Sequence, residues 1–382
     1  MNVIGIVCEY DPFHNGHKYQ IDRIKEQYND SIIIAIMSSS CTQRGNISIV
    51  NKWNKTRSAL LNGIDIVLEL PYIYTTQSSD IFAHYSIYYL NKLGINTLCF
   101  GSESNNKDVL LNNAKIQLYN KEFDILVQKY MNDGINYPTA LNNALNDLGG
   151  TTINEPNDLL ALSYIKEILN NKYDIDIFNI KRTNNYHDIS SNDEIISSSN
   201  IRNKLKNNED ISSYVPSNTI KFINYKNYES KYFELLKYKI INEDNLDKYL
   251  DVDEGLSTRI KKSIKNSSNI EELIQNIKTK RYTYNKINRM LNHILCSYTK
   301  EERDLYKNPE YIRILGFTEK GKEYLNTIKN NLDIDILNKY DTSKYKSLNV
   351  EKRVSEIYSI IYEDIMNDEI KNIPIKNYSS LE

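Results

Sequence analysis

Short β-branched runs alternate with helix-patterned stretches through the first two hundred residues, and this alternation constrains the chain more than any other feature. Val3 to Cys8, Ile32 to Met37, Ile64 to Leu70, Thr97 to Phe100 and Ile175 to Ile180 read as strands. Most are continuous apolar runs, the pattern of strands covered on both faces. Between them, Gly16 to Gln27, Lys52 to Asn62, Ser78 to Leu93 and Asn157 to Leu169 read as helices. The pattern predicts an α/β fold built on a doubly wound, parallel, Rossmann-like sheet. From about Asn203 onward strand candidates give out and helical patterns follow, as in Tyr232 to Ile241, Glu271 to Ile277 and Val354 to Met366. We expect a catalytic domain over residues 1–205 and a mainly helical domain over 206–382, with the boundary in the polar 203–215 stretch. At 382 residues the chain is long enough for both.

Apolar residues make up 40% and charged residues 26%, and the net charge of -2 is too small for charge-driven disorder. Cys8, Cys41, Cys99 and Cys296 show no paired spacing, which argues against a zinc site or a disulfide framework. The apolar run Val3 to Val7 is far short of the roughly 20 residues that span a bilayer, and nothing resembles a signal peptide. A soluble protein of the reducing cytoplasm, with no membrane partner, is the expectation.

Directly behind the first strand stands Glu9-Tyr10-Asp11-Pro12-Phe13-His14-Asn15-Gly16-His17, with a helix beginning near Gly16. Open α/β sheets bind ligands beyond the C-terminal ends of their strands, where free helix N–H groups favour phosphate. Gly16 permits close backbone approach, and His14 and His17 can donate to phosphate oxygens, carrying a full positive charge if protonated. Alternatives are helix-start polar residues or half of a metal site, although no third ligand is indicated. Later comes Ile196-Ser197-Ser198-Ser199-Asn200-Ile201-Arg202, whose hydroxyls can cap a helix or bind phosphate and whose guanidinium can meet a triphosphate. Alone this second element reads better as a plain capped helix.

Together the two elements resemble the nucleotidyltransferase superfamily. The longer string resembles the bacterial tRNA(Met) cytidine acetate ligase family, through Gly5 to His17, Gln43-Arg44-Gly45, Lys52-Trp53, Leu68-Glu69-Leu70-Pro71 and Phe100-Gly101-Ser102-Glu103. Pro156-Asn157, Lys181-Arg182, Tyr186-His187-Asp188 and Lys280-Arg281-Tyr282-Thr283 extend the resemblance through nearly the whole chain. Asp11 departs from the usual Asn, Asn51 from Asp, and Ser39-Ser40 from Gly-Asn.

The resemblance implies that Val7, Cys8, Glu9, Tyr10, Asp11, Pro12, Phe13, His14, Asn15, Gly16, His17, Lys18, Tyr19 and Gln20 hold ATP. Gly101, Asn157, Arg182, Thr183, Ser198, Ser199 and Arg202 would help, with His14, His17 and Arg202 as the catalytic set. It further implies that acetate attacks the α-phosphate, and that the acetyl group then passes to N4 of the wobble cytidine of elongator tRNA(Met). A magnesium ion would arrive with ATP, since no acidic cluster is present to fix one. Each position also has a plainer reading: Gly101 as a turn, Asn157 as a helix cap, Arg182 as a surface ion pair, His84 and His293 as structural.

Between Ile277 and Lys300 lie six cations and no acid: Lys278, Lys280, Arg281, Lys286, Arg289 and Lys300. Tyr282, Tyr284 and Tyr298 are interleaved, a composition suited to tRNA phosphates and unpaired bases or to a merely solvated helix face. Arg259, Arg313 and Lys320 would extend this surface. Two rival readings are an adenylyltransferase of a phosphorylated metabolite and a noncatalytic RNA-binding module.

Overall fold

The five expected strands form within two residues of their expected limits: β1 (Val3–Cys8), β2 (Ile32–Ser38), β3 (Ile66–Leu70), β4 (Thr97–Ser102) and β5 (Asp176–Lys181). This computed structural model describes residues 1–182, 195–279, 282–362, 369 and 373–376. The strands run parallel in the order β5-β4-β1-β2-β3. Every residue of β2 and β3 is buried, Ser38 and Glu69 included, as expected of mostly apolar strands covered on both faces.

Helices α1 (Asn15–Gln27), α2 (Lys52–Leu61), α3 (Tyr72–Thr75) and α4 (Ser79–Lys92) join β1 to β4. Helices α5 (Lys107–Tyr119), α6 (Phe123–Asn132), α7 (Tyr137–Asp147) and α8 (Pro156–Asn171) join β4 to β5, and α9 (Ser198–Lys206) follows. The chain steps from β1 outward to β3 and returns to the other side of β1 with β4. That reversal opens a crevice at the C-terminal ends of β1 and β4, the place where such sheets bind ligands.

The later region holds α10 (Glu229–Asn242), α11 (Leu256–Ser263), α12 (Ile270–Ile277), α13 (Tyr284–Leu295), α14 (Lys300–Leu305), α15 (Glu319–Ile328) and α16 (Leu348–Ile361). The expectation that strands end near Asn203 is corrected by the sheet. β6 (Tyr311–Ile312) pairs with β8 (Asp335–Ile336), while β7 (Ile314–Phe317) runs antiparallel to β3 and β9 (Ile375–Lys376) parallel to β7. Strands of two to four residues are too short to show a hydrophobic period. Regions 1–205 and 206–382 therefore share one sheet, and one apolar cluster runs from Val3 to Tyr362.

A buried ionic cluster fastens the late strands to the early ones. Lys52 of α2 lies 2.7 Å from both Glu69 of β3 and Glu369, and Arg313 lies 2.9 Å from Glu69 and 2.6 Å from Glu369. All four side chains are buried, and the Arg313 guanidinium also packs over Trp53 and Tyr340. Arg313 is thus no part of a tRNA-facing surface. Lys320 is half-buried and pairs with Asp30, just before β2.

Candidate active site

Two histidines build the entry to α1. His14 is its N-cap, in extended conformation, and its Nδ1 accepts from the Gly16 N–H at 3.0 Å. His17 Nδ1 accepts from the His14 N–H at 3.2 Å, so the pair forms a reciprocal capping box of the kind usually made by Ser and Glu. Their rings stack at 3.7 Å, and Tyr10 and Phe13 pack against His17. Gly16 is needed here because a Cβ would sit 2.8 Å from His14 Cε1.

This cap decides the tautomer. A neutral ring whose Nδ1 accepts carries its proton on Nε2. Burial pushes His14 down to about 3, with the charges of Arg182 and Arg202 adding; burial, His14 and Arg182 push His17 well below its ordinary range. Both are therefore neutral Nε2–H donors at the crevice, not cations, until an anion arrives.

Positive charge comes from two guanidiniums. Arg182, just past β5, crosses over Gly101, where a Cβ would stand 3.3 Å from Arg182 Cγ. Its Nε lies 3.8 Å from Glu103 Oε1. Arg202 of α9 donates to the Asp11 carbonyl at 2.7 Å and to Ser199 Oγ at 3.0 Å. Ser197 caps α9 through the Asn200 N–H at 3.2 Å, while half-buried Ser198 opens the helix. The cleft is lined by His14, Gly16, His17, Tyr19, Gln20, Gly101, Arg182 and Ile195 to Ser197, so the N-termini of α1 and α9 both face it. Two helix starts, two neutral donors and the Arg182 guanidinium make a site for a polyphosphate, with the Arg202 charge felt by His14.

The remaining expected positions divide. Tyr10 and Phe13 are buried, Val7 and Cys8 belong to β1, and Pro12 is buried in the turn, so these shape the site rather than line it. Asp11 accepts from the Ile49 and Val50 N–H groups, Glu9 from Gln43, and Asn15 donates to the Ser213 carbonyl. Lys18 pairs with Asp22 away from the cleft lining. Asn157 does not cap α8: Glu155 is the N-cap, and the Asn157 amide donates to Glu103. Thr183 lies outside the described residues.

Sequence reasoning missed Asp158. Its buried carboxylate accepts from Ser102 Oγ at 2.5 Å, the Glu103 N–H at 3.1 Å and the Ser104 N–H at 3.0 Å, fixing the turn after β4. The pairing of Pro156-Asn157-Asp158 with Gly101-Ser102-Glu103 was its only signal. Among the described residues no three His, Cys, Asp or Glu side chains gather to hold a metal ion, and no helix is long and apolar enough to cross a membrane.

The family model for HIGH nucleotidyl transferases matches residues 1–372. A relative from Oceanobacillus iheyensis, named tRNA(Met) cytidine acetate ligase, is 36% identical over 377 residues, 94% of each chain. The chain belongs to this ligase family of HIGH nucleotidyl transferases. A second relative of the same name, from Clostridium kluyveri, is 37% identical over 96% of each chain. The crystal structure of Thermotoga maritima TmcAL bound with alpha-thio ATP superposes with a TM-score of 0.87 at 25% identity, over 99% of this chain and 100% of that one.

The cation-rich segment of this cytidine acetate ligase family member is less open than its composition implies. Lys286 pairs with Asp253 at 2.7 Å, and Arg289 is half-buried 3.8 Å from Asp251. Tyr282 and Tyr298 are buried, which corrects the expectation that they are free to stack on bases. Lys278 is exposed; Lys280 and Arg281 lie outside the described residues. An acid-free stretch of sequence met its acids from another loop. Helix α13 also clamps the Gln43-Arg44-Gly45 turn, through Asn288 donating to the Arg44 carbonyl at 2.9 Å and through Gly45 (φ +86), which admits no Cβ against Arg289.

Proposed function

We propose that this chain is an ATP-dependent tRNA(Met) cytidine acetate ligase. The observation that carries the reading is the convergence of His14, His17 and Arg182 at two helix N-termini, with Arg202 of α9 bound to the Asp11 carbonyl beside them. It is supported by the shared fold of a relative crystallised with an ATP analogue. An acetate oxygen attacks the α-phosphorus, the bond to the bridging oxygen breaks, and pyrophosphate leaves with acetyl-adenylate retained. N4 of the wobble cytidine then attacks the acetyl carbonyl, AMP departs, and the proton on N4 is lost.

Acetate is already an anion, so catalysis rests on positioning and on charge neutralisation. The two imidazoles donate to the α- and β-phosphates without first shedding water as cations, and the approaching charge raises their proton affinity as it builds. Arg202, with Ser198 and Ser199, holds the departing pyrophosphate. Magnesium travels with the triphosphate, and no protein site is assigned to it. Residues 1–205 perform the chemistry, and 206–382 contribute tRNA contacts, Lys278, Lys280, Arg281, Lys286 and Arg289 meeting backbone phosphates.

The test is transfer of labelled acetyl from acetate and ATP to unmodified elongator tRNA(Met). Label on the wobble cytidine is expected. ATP turnover that ignores acetate, but responds to a phosphorylated metabolite, would replace this reading with the adenylyltransferase one.

A further inference from the structure

An accepting base must reach an acyl-adenylate held beside His14, His17 and Arg202, so the RNA has to meet the chain next to Asp11 and Arg202. On that side stand tyrosines that the nucleotide site does not use. Tyr228, at the start of α10, is half-buried with its ring 5.9 Å from that of Tyr362. Tyr362 in turn stacks on Tyr358 at 5.1 Å with an interplanar angle of 22°. Direct contacts tie this cluster to the phosphate loop. Tyr358 Oη donates to the Ser48 carbonyl at 2.7 Å, the Ile49 N–H donates to Asp11 Oδ1 at 2.8 Å, and the Asp11 carbonyl accepts from Arg202 at 2.7 Å. Tyr228 also feels the site: burial raises its hydroxyl pKa, Asp11 raises it further, and Arg202 lowers it.

The surroundings are basic. Lys221 and Lys226 are exposed, Lys231 is half-buried, and Glu229 in the same stretch is paired with Lys206 at 2.8 Å. An aromatic ring reaching the surface among lysines suits single-stranded nucleic acid, whose base stacks while its phosphates meet the ammonium groups. We propose that the face formed by half-buried Tyr228, backed by the buried Tyr362 ring, together with exposed Lys221 and Lys226, seats the unpaired base that accepts the acyl group. This rests on the ligase reading above and moves base recognition from the α12–α13 segment, where Tyr282 is buried and the Tyr284 hydroxyl is held by Glu271, to the start of α10.

The experiment uses the full-length chain with Tyr228→Ala, Tyr228→Phe and Lys226→Glu. It measures acetate-dependent ATP–pyrophosphate exchange without RNA, and acetyl transfer to an elongator tRNA(Met) transcript. Tyr228→Ala should raise KM for the transcript about ten- to a hundredfold, the range for loss of one base–aromatic stack. Its exchange rate should stay at the wild-type level, and Tyr228→Phe should restore KM. Lys226→Glu, an exposed change that disturbs no packing, should raise KM and weaken its salt dependence. Wild-type KM in both Tyr228→Ala and Lys226→Glu, with tRNA still acetylated, overturns the proposal alone. A wild-type protein that exchanges pyrophosphate but never acetylates the transcript overturns the ligase reading and this face together. Should Tyr228→Ala lose exchange as well, Lys226→Glu decides.

Discussion

A methyl group at position 16 would stand 2.8 Å from His14 Cε1, 3.0 Å from its Nδ1 and 3.2 Å from Ile195 Cγ2. The His14 ring cannot simply retreat, because its other face stacks on His17 at 3.7 Å. Gly16→Ala must therefore turn the ring out of the bond it accepts from the residue 16 N–H, and its Nε2–H out of line with the phosphates. The lost cap costs about 1 kcal/mol of stability. The misdirected donor forfeits a hydrogen bond to a charged group, about 1.5–3 kcal/mol, which weakens ATP binding about 10- to 150-fold. Calorimetric titration with ATP, beside urea denaturation of the same preparation, separates the two. Wild-type ATP affinity, or a loss no larger than the unfolded fraction explains, would refute the assigned geometry.

Arg202→Lys should cost about 0.5–1.5 kcal/mol of stability and slow pyrophosphate exchange about 10- to 150-fold, because an ammonium cannot span the Asp11 carbonyl and Ser199 Oγ while also facing a phosphate; steady-state kinetics and urea melts check it. Arg313→Met leaves Glu69 and Glu369 buried against Lys52 alone, and urea denaturation should show a loss of about 3–5 kcal/mol. Burial, with the charges of Glu69 and Glu369 adding, pushes Glu351 up from its ordinary 4.5 to about 8. A raised folded-state value gives a contribution that is complete below 4.5 and lost as pH rises through 8. Wild type should thus lose stability across that window relative to Glu351→Gln, which keeps the acceptor for the Tyr72 N–H without the charge.

Mostly apolar runs made β1 to β4 legible, because strands covered on both faces favour apolar residues, while β5 mixes Asp176, Asn179 and Lys181 with Ile177, Phe178 and Ile180 and is less buried. The same logic hid β7 and β9, which are short and gain their place from β3. His14 and His17 could be singled out by spacing, but their neutral state depends on burial and on the capping box, which only three dimensions supply. Asn157 looked like a cap beside Pro156; its amide instead serves Glu103, a partner on a different strand end. Charge counted along the chain left out Asp251 and Asp253 across the fold, which pair with Arg289 and Lys286, and Arg313 misled because its carboxylate partners are distant in sequence.

The most direct test of the account is exchange of labelled pyrophosphate into ATP by the purified full-length chain, without RNA, at varied acetate concentration. Reversible formation of acetyl-adenylate predicts label in ATP that appears only with acetate, saturates with it, and falls sharply in His17→Ala. Exchange indifferent to acetate, or undiminished in His17→Ala, would contradict the claim that this crevice joins acetate to the α-phosphate of ATP.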